Sequence, residues 1–329
     1  MKPTYAIVRQ TIALIVAAAA LAALQGCTAV LTPSQVKEVG TFAEAAKNYG
    51  TFPGTVIRSH AELRARQKLL EAATMTSGTA ALRQVEAAVE LRQELARRAT
   101  AADSALEILN DYAALLVKLT GDSYTGELQG SAESLGGAVD RAIDRFNKLQ
   151  GTNLGSFGAL AAAGARGAGG IYIRHEQAEA LKQAITAADP VVEAMIVEVE
   201  RLLALYLAPA DLAGLQLAIA AGPPPEQLDL IRNVATDLRE SYRRIVDSAG
   251  GKQQLATVLL VADGLTGADE TVQLATQALR AAETYRAAHR ALVQNVTERR
   301  WLKNAIGQVQ TLVQEVNTAN KLRKKLAAE

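Results

Sequence analysis

The sequence predicts an all-α protein: an elongated antiparallel bundle of long, partly coiled-coil-like helices. Three observations point there. About one residue in five is alanine, and Leu, Gln, Glu and Arg, all good helix formers, supply much of the rest. Aromatic residues are only 4% of the chain, and alternating β-branched runs and Asn-Gly or Asp-Gly hairpin signals are scarce. Apolar residues recur at spacings of three and four over long stretches, the signature of a buried helix face.

The elements follow in order. Ser34 to Tyr49 reads as a first helix, capped by Ser34 and ended by the breaker run Gly50-Thr51-Phe52-Pro53-Gly54. A second helix runs from Thr55 to Met75, with Ser59 and Glu62 at capping-box spacing inside it, and stops at Thr76-Ser77-Gly78. A long stretch from Thr79 to Thr120 carries two apolar stripes, Leu82, Val85 and Val89, then Leu106, Leu109, Tyr112, Leu116 and Leu119. Both are expected to be buried, with a break or bend at Thr100 to Asp103. Glu62 with Arg66 and Glu94 with Arg98 form i,i+4 pairs. Gly121 to Gly130 reads as a turn, and Ser131 to Leu149 as a helix weakened by Gly136-Gly137 and supported by Asp144 with Lys148.

Arg174 to Leu207 reads as a strong helix with Val192, Met195, Val199, Leu202 and Tyr206 on one face. Pro190 starts its second half or kinks it. Pro209 opens a short helix ending at Gly222, and Pro223-Pro224-Pro225 is the clearest linker and a candidate subdivision. A further helix reaches Ser248, with Glu240 and Arg244 paired; Gly250-Gly251 breaks the chain, and Lys252 to Ala262 is short and apolar. Ala268 to Ala327 is the longest helical candidate, with a seam of Leu302, Ile306, Val309, Val313 and Val316 near the coiled-coil period. Its basic end, Lys321 to Lys325, suits a helix C-terminus.

The N-terminus is of another kind. Lys2 and Arg9 precede an apolar run from Thr11 to Leu24, which ends in Leu24-Gln25-Gly26-Cys27. A positive start, a short apolar core and a small residue before the cut form a secretion signal, and the run is shorter than the roughly 20 residues of a bilayer span. The final four residues resemble the lipobox of bacterial lipoproteins. The resemblance covers residues 1–27 only. It implies a signal peptide over 1–26 and an acylated Cys27 as first residue of the mature chain. Thr28 after the cysteine, where Asp would imply inner-membrane retention, points to the outer membrane, facing the periplasm. Residues 27–33 then form the acylated cysteine and a short tether, and 34–329 the helical body. Cys27 is the only cysteine, so no internal disulfide holds the fold.

Composition narrows the functions. A hydrophobic share of 49% with 21% charged residues is globular rather than disordered. Without Lys2 and Arg9, the 35 basic and 34 acidic residues come within one charge of balance, which argues against nucleic acid as a partner.

Few motifs suggest chemistry. His60, His175 and His289 are the only histidines and lie far apart. His175-Glu176 lacks the second histidine of a zinc-protease helix. Glu193, Glu198 and Glu200 read as solvated charges that do not share one helix face. Ser34-Gln35-Val36-Lys37 is better read as a cap than as a Ser-x-x-Lys nucleophile. No Gly-x-Ser-x-Gly occurs, Gly164 to Gly170 follows no strand, and Gly250-Gly251-Lys252 lacks the rest of a phosphate loop. The expectation is therefore no catalytic residue, no metal and no cofactor.

Two features suggest contacts. Gly155, Ala159, Ala163 and Gly167 sit four apart in the segment 154–173, a small-residue face that suits close packing, or a membrane-inserting element. Trp301, the only tryptophan, lies among Arg299, Arg300 and Lys303 and suits a contact anchor. The expected function is a lipid-anchored envelope protein that binds another protein through helix faces without enzymatic activity. The alternative is a membrane-active helical protein that inserts 154–173.

Overall fold

The computed structural model describes residues 32–50, 52–73, 75–121, 126–150, 153, 155, 173–205, 236–237, 239–244, 247, 255–298 and 303–326. Among them the protein is an all-α bundle with no strand. The helices are α1 (Pro33–Tyr49), α2 (Pro53–Ala73), α3 (Gly78–Thr120), α4 (Gly126–Gln150), α5 (Ile173–Leu205), α6 (Leu255–Glu298) and α7 (Lys303–Leu326). The signal, Cys27, most of the tether and the proposed linker at 222–225 lie outside the described residues.

Local chemistry explains the starts. The cap of α1 is Thr32 and not Ser34: Thr32 Oγ1 accepts from the Gln35 N–H, and the Gln35 side chain accepts from the Thr32 N–H, a reciprocal capping box. Ser34 follows Pro33 inside the first turn, where its hydroxyl meets that of Thr32. The turn between α1 and α2 lies close against α3: a Cβ at Gly50 would strike the Asn110 side chain and one at Gly54 the Asp103 carboxylate. Ser77 caps α3 by accepting from the Ala80 N–H.

Three expected boundaries give way to longer helices. α3 runs unbroken for 43 residues, about 65 Å at 1.5 Å per residue. At the expected break, Thr100 Oγ1 donates to the Ala96 carbonyl and Ser104 Oγ to the Thr100 carbonyl, so both hydroxyls are satisfied within the helix. α4 starts at Gly126, because Glu127, Leu128 and Gln129 are helix formers that outweigh the flanking glycines. α6 passes through Gly264 and Gly267, where a break was expected. Gly267 lies against α2, where a Cβ would make ordinary contact with Leu63 at 3.5 Å. The single long C-terminal helix is instead two described helices, α6 and α7, with 299–302 outside the described residues.

The two longest helices, α3 and α6, form the frame. α1 and α5 pack against both, α4 against α3, α7 against α6 and α1, and α2 against α3 and α6. The main core draws on the predicted stripe Leu106, Leu109, Tyr112, Leu116 and Leu119 and on Val192, Met195 and Val199 of α5, all buried. α6 contributes a face of small residues, Ala275, Ala278, Ala281, Ala282 and Ala288, which lets its neighbours approach closely. In α7 the buried seam is Ala305, Val309, Leu312, Val316 and Ala319, a regular heptad alternation. Val309 and Val316 of the expected seam are buried, Ile306 and Val313 are half-buried beside Ala305 and Leu312, which take their places, and Leu302 lies outside the described residues.

A sharper correction concerns α3. Leu82, Val85 and Val89 are 57%, 36% and 51% exposed, not buried. The face that α3 turns to α2 in this half consists of Ala88, Leu91, Leu95 and Ala99, about a third of a turn away. The pattern correctly marked an apolar stripe, but α2 covers a different one.

Truncating the two stripes should therefore have opposite outcomes. Leu109→Ala, at a fully buried site, should cost about 2–5 kcal/mol. Leu82→Ala should stay within about 0.5 kcal/mol of the parent. Urea unfolding followed by circular dichroism checks both.

Candidate functional site

Two surface features and one buried network concentrate the chemistry of the described residues. The first is the uncovered stripe on the N-terminal half of α3. Residues 82, 85 and 89 recur at helical spacing, so their side chains line one edge. Leu69 on α2 and Met75 in the α2–α3 turn are exposed at the same end of this hairpin. Charged residues beside the stripe, Arg83, Glu86 and Glu90, are exposed. Contiguous apolar surface of this kind marks contact sites more often than scattered single residues do.

The second feature is a groove of about 500 Å³ at the opposite end of α3. Its base is one face of α1, from Val36 to Asn48, and its walls are Val117 and Thr120 of α3 and Val313, Val316 and Asn317 of α7. Gly40 lets α3 come close, since a Cβ there would lie 3.2 Å from Thr120 Oγ1. The threonines are less polar than they look. Thr41 Oγ1 donates to the Lys37 carbonyl and Thr120 Oγ1 bonds to the carbonyls of Leu116 and Val117. Both hydroxyls are thus engaged by their own helices. Lys37 and Glu44, seven residues apart along α1, are exposed and make no ion pair among the described residues.

The buried network joins three helices. Asp189 Oδ1 of α5 lies 3.3 Å from His289 Nδ1 of α6, and His289 Nε2 lies 3.0 Å from the Tyr112 hydroxyl of α3. With the ring proton on Nδ1 facing Asp189, Nε2 accepts from the Tyr112 O–H. The hydrogen bond with His289 holds the Asp189 carboxyl below the usual carboxylate range. Desolvation pushes the Tyr112, Tyr49 and Tyr285 hydroxyls well above theirs, so all three stay protonated. Phe42 packs against both His289 and Tyr285, and Tyr49 against Tyr285 and Phe52, so an aromatic row fills the centre of the bundle. His289 is 1% exposed, and the arrangement ties helices together inside the core.

Ion pairs correct one further expectation. Glu193 and Glu200 do share a face, being two helical turns apart, and Arg286 of α6 reaches both, at 3.3 and 2.5 Å. Arg290 adds a bond to Glu193 at 2.8 Å, while Glu198 pairs separately with Arg201. On α2, buried Arg64 donates to Gln67 at 2.8 Å and to Asp237 at 3.3 Å. The expected pairs Glu62–Arg66 and Glu94–Arg98 form, and Glu62 also meets Arg92 on α3 at 3.0 Å. The basic end of α7 packs inward: Lys325 pairs with Glu270 at 2.6 Å, and Arg323 lies over the Phe52 ring.

Of the residues singled out from sequence, Cys27, Ala159, Ala163, Gly167 and Trp301 lie outside the described residues. Gly155 is described and exposed, with open space where a Cβ would stand. Among the described residues no group of three or more His, Cys, Asp or Glu is placed to hold a metal ion, and no helix is long and apolar enough to cross a membrane. In comparisons with known proteins, no family model, no curated protein and no solved structure matched this chain.

Sequence reasoning missed the groove and the Asp189–His289–Tyr112 network. Partners separated by up to 177 positions leave no local signal. The one legible hint was the seven-residue spacing of Lys37 and Glu44 on a helix with a different buried face.

Two outcomes follow from the buried groups. His60 is fully buried on α2, and desolvation, reinforced by Arg64, lowers its pKa to about 3. Unfolded His titrates near 6.5, so below that pH the unfolded chain takes up a proton that the folded chain refuses. Stability is complete above about pH 6.5 and is lost as pH falls towards 3, by about 2–3 kcal/mol between pH 7 and 4.5. Urea midpoints across this range should fall more steeply for the parent than for His60→Gln. Separately, Tyr112→Phe leaves His289 Nε2 without its donor and should cost about 1–3 kcal/mol in the same assay.

Proposed function

We propose that this chain is a lipid-anchored protein of the bacterial cell envelope, held through an acylated Cys27, whose helical body binds another protein without catalysing a reaction. The observation that carries the binding part is the exposed stripe of Leu82, Val85 and Val89. It has the spacing of a buried helix face, and nothing among the described residues covers it. Burying three such side chains yields several kcal/mol in favour of association, at about 25 cal/mol per Å² of apolar area. The anchor rests on the lipobox-like Leu24-Gln25-Gly26-Cys27, and the outer-membrane address on Thr28. A short tether then holds the helical body near the membrane, where local concentration favours a modest interface.

Both parts are open to direct test. An alkyne-tagged fatty acid fed to cells should label the chain, and Cys27→Ser should abolish the label. A photoreactive amino acid replacing Val85 should yield adducts with protein, and one replacing exposed Asp144 should not. Phospholipid adducts alone at position 85 would overturn the protein-binding reading and favour a membrane-active one.

A further inference from the structure

The stripe and the groove fit one another. The groove face of α1 is about 18 Å long from Val36 to Asn48, at 1.5 Å per residue. The segment from Leu82 to Glu90 is about 12 Å long and lies within that length. The stripe offers one Leu and two Val, and the groove offers the half-buried Val36, Val117 and Val313. The charges match in spacing as well. Arg83 and Glu90 are seven residues apart on α3, and Lys37 and Glu44 are seven apart on α1. All four are exposed, and none has an ion-pair partner among the described residues.

We propose that the occupant of the groove is the α3 stripe of a second copy of this chain, lying antiparallel to α1. This rests on the reading of the chain as a protein-binding module and names its partner. Antiparallel alignment sets Arg83 against Glu44 and Glu90 against Lys37, and leaves Glu86 opposite the neutral Thr41. Parallel alignment sets Arg83 against Lys37 and Glu90 against Glu44, like against like, so charge fixes the direction. Val85 and Thr120 are about 50 Å apart along α3, so a chain cannot fill its own groove. The contact is therefore heterologous. Each chain offers a stripe to one neighbour and a groove to another, which builds rings or open rows.

The test uses the full chain with Cys27→Ser, which removes the only native thiol. One tagged copy carries Glu90→Cys and a differently tagged copy Lys37→Cys, and a short bismaleimide is added to the mixture. The expected product is a cross-linked dimer containing both tags. Val85→Asp on the first copy should abolish it. Arg83→Glu on the first copy should lower the yield several-fold, and Glu44→Arg on the second should restore it, a rescue that general misfolding would not show. Replacing Lys37→Cys by Asp144→Cys should give no product. Three results overturn the proposal: no 90-to-37 product, an equal yield with Asp144→Cys, or a dominant 90-to-90 product, which would mean a symmetric stripe-to-stripe contact. If position 85 photo-cross-links to a different protein while the 90-to-37 product is missing, the self-association fails and the protein-binding reading stands. If neither cross-link forms, both fail.

Discussion

The frame of this bundle depends on how its two longest helices are held. α1 and α5 each pack against both α3 and α6, and the hydrogen bond between Tyr112 and His289 ties the two long helices across the core. A phenol and an imidazole in that position are tolerated only because each satisfies the other, with Asp189 completing the chain towards solvent. The network joins Asp189 of α5, His289 of α6 and Tyr112 of α3 at one point of the core.

With no disulfide to constrain the chain, packing carries the fold. Alanine on α6 buries little area per residue, so close approach and the number of contacts must compensate. Large aromatic side chains gather where α1 meets α6: Phe42 and Tyr49 pack with Tyr285, and Phe52 with Tyr49, in edge-on or tilted contacts. This cluster stands at the α1–α2 turn, where Gly50 and Gly54 accept neighbouring side chains at the closest range.

The division of labour along α3 follows from the same packing. Its C-terminal half is enclosed by α1, α4 and α5 and belongs to the main core. Its N-terminal half leans on α2, which covers one face and leaves the adjacent apolar edge in solvent. The groove sits where the enclosed half ends. One helix therefore carries a projecting apolar edge at one end and a wall of the concave surface at the other. A head-to-tail contact would reuse that single rigid element, with no conformational change needed to present either surface.

Sequence alone determined the class of fold, most helix positions, and which stripes are apolar. Helix propensity, capping and periodicity are local, and they leave their mark in neighbouring residues: the stripe Leu106, Leu109, Tyr112, Leu116 and Leu119 and the residues Val192, Met195 and Val199 are buried as their spacing requires. Tertiary structure alone decided which apolar stripe is covered, because Leu82, Val85 and Val89 satisfy the same periodic rule as the core stripe and differ only in having nothing among the described residues packed over them. It also decided that Ala305 and Leu312 rather than Ile306 and Val313 complete the α7 seam, the shared face of Glu193 and Glu200 on Arg286, and the meeting of Asp189, His289 and Tyr112. Each of these depends on the angle at which one helix meets another, and that angle is set by side chains far apart in the chain.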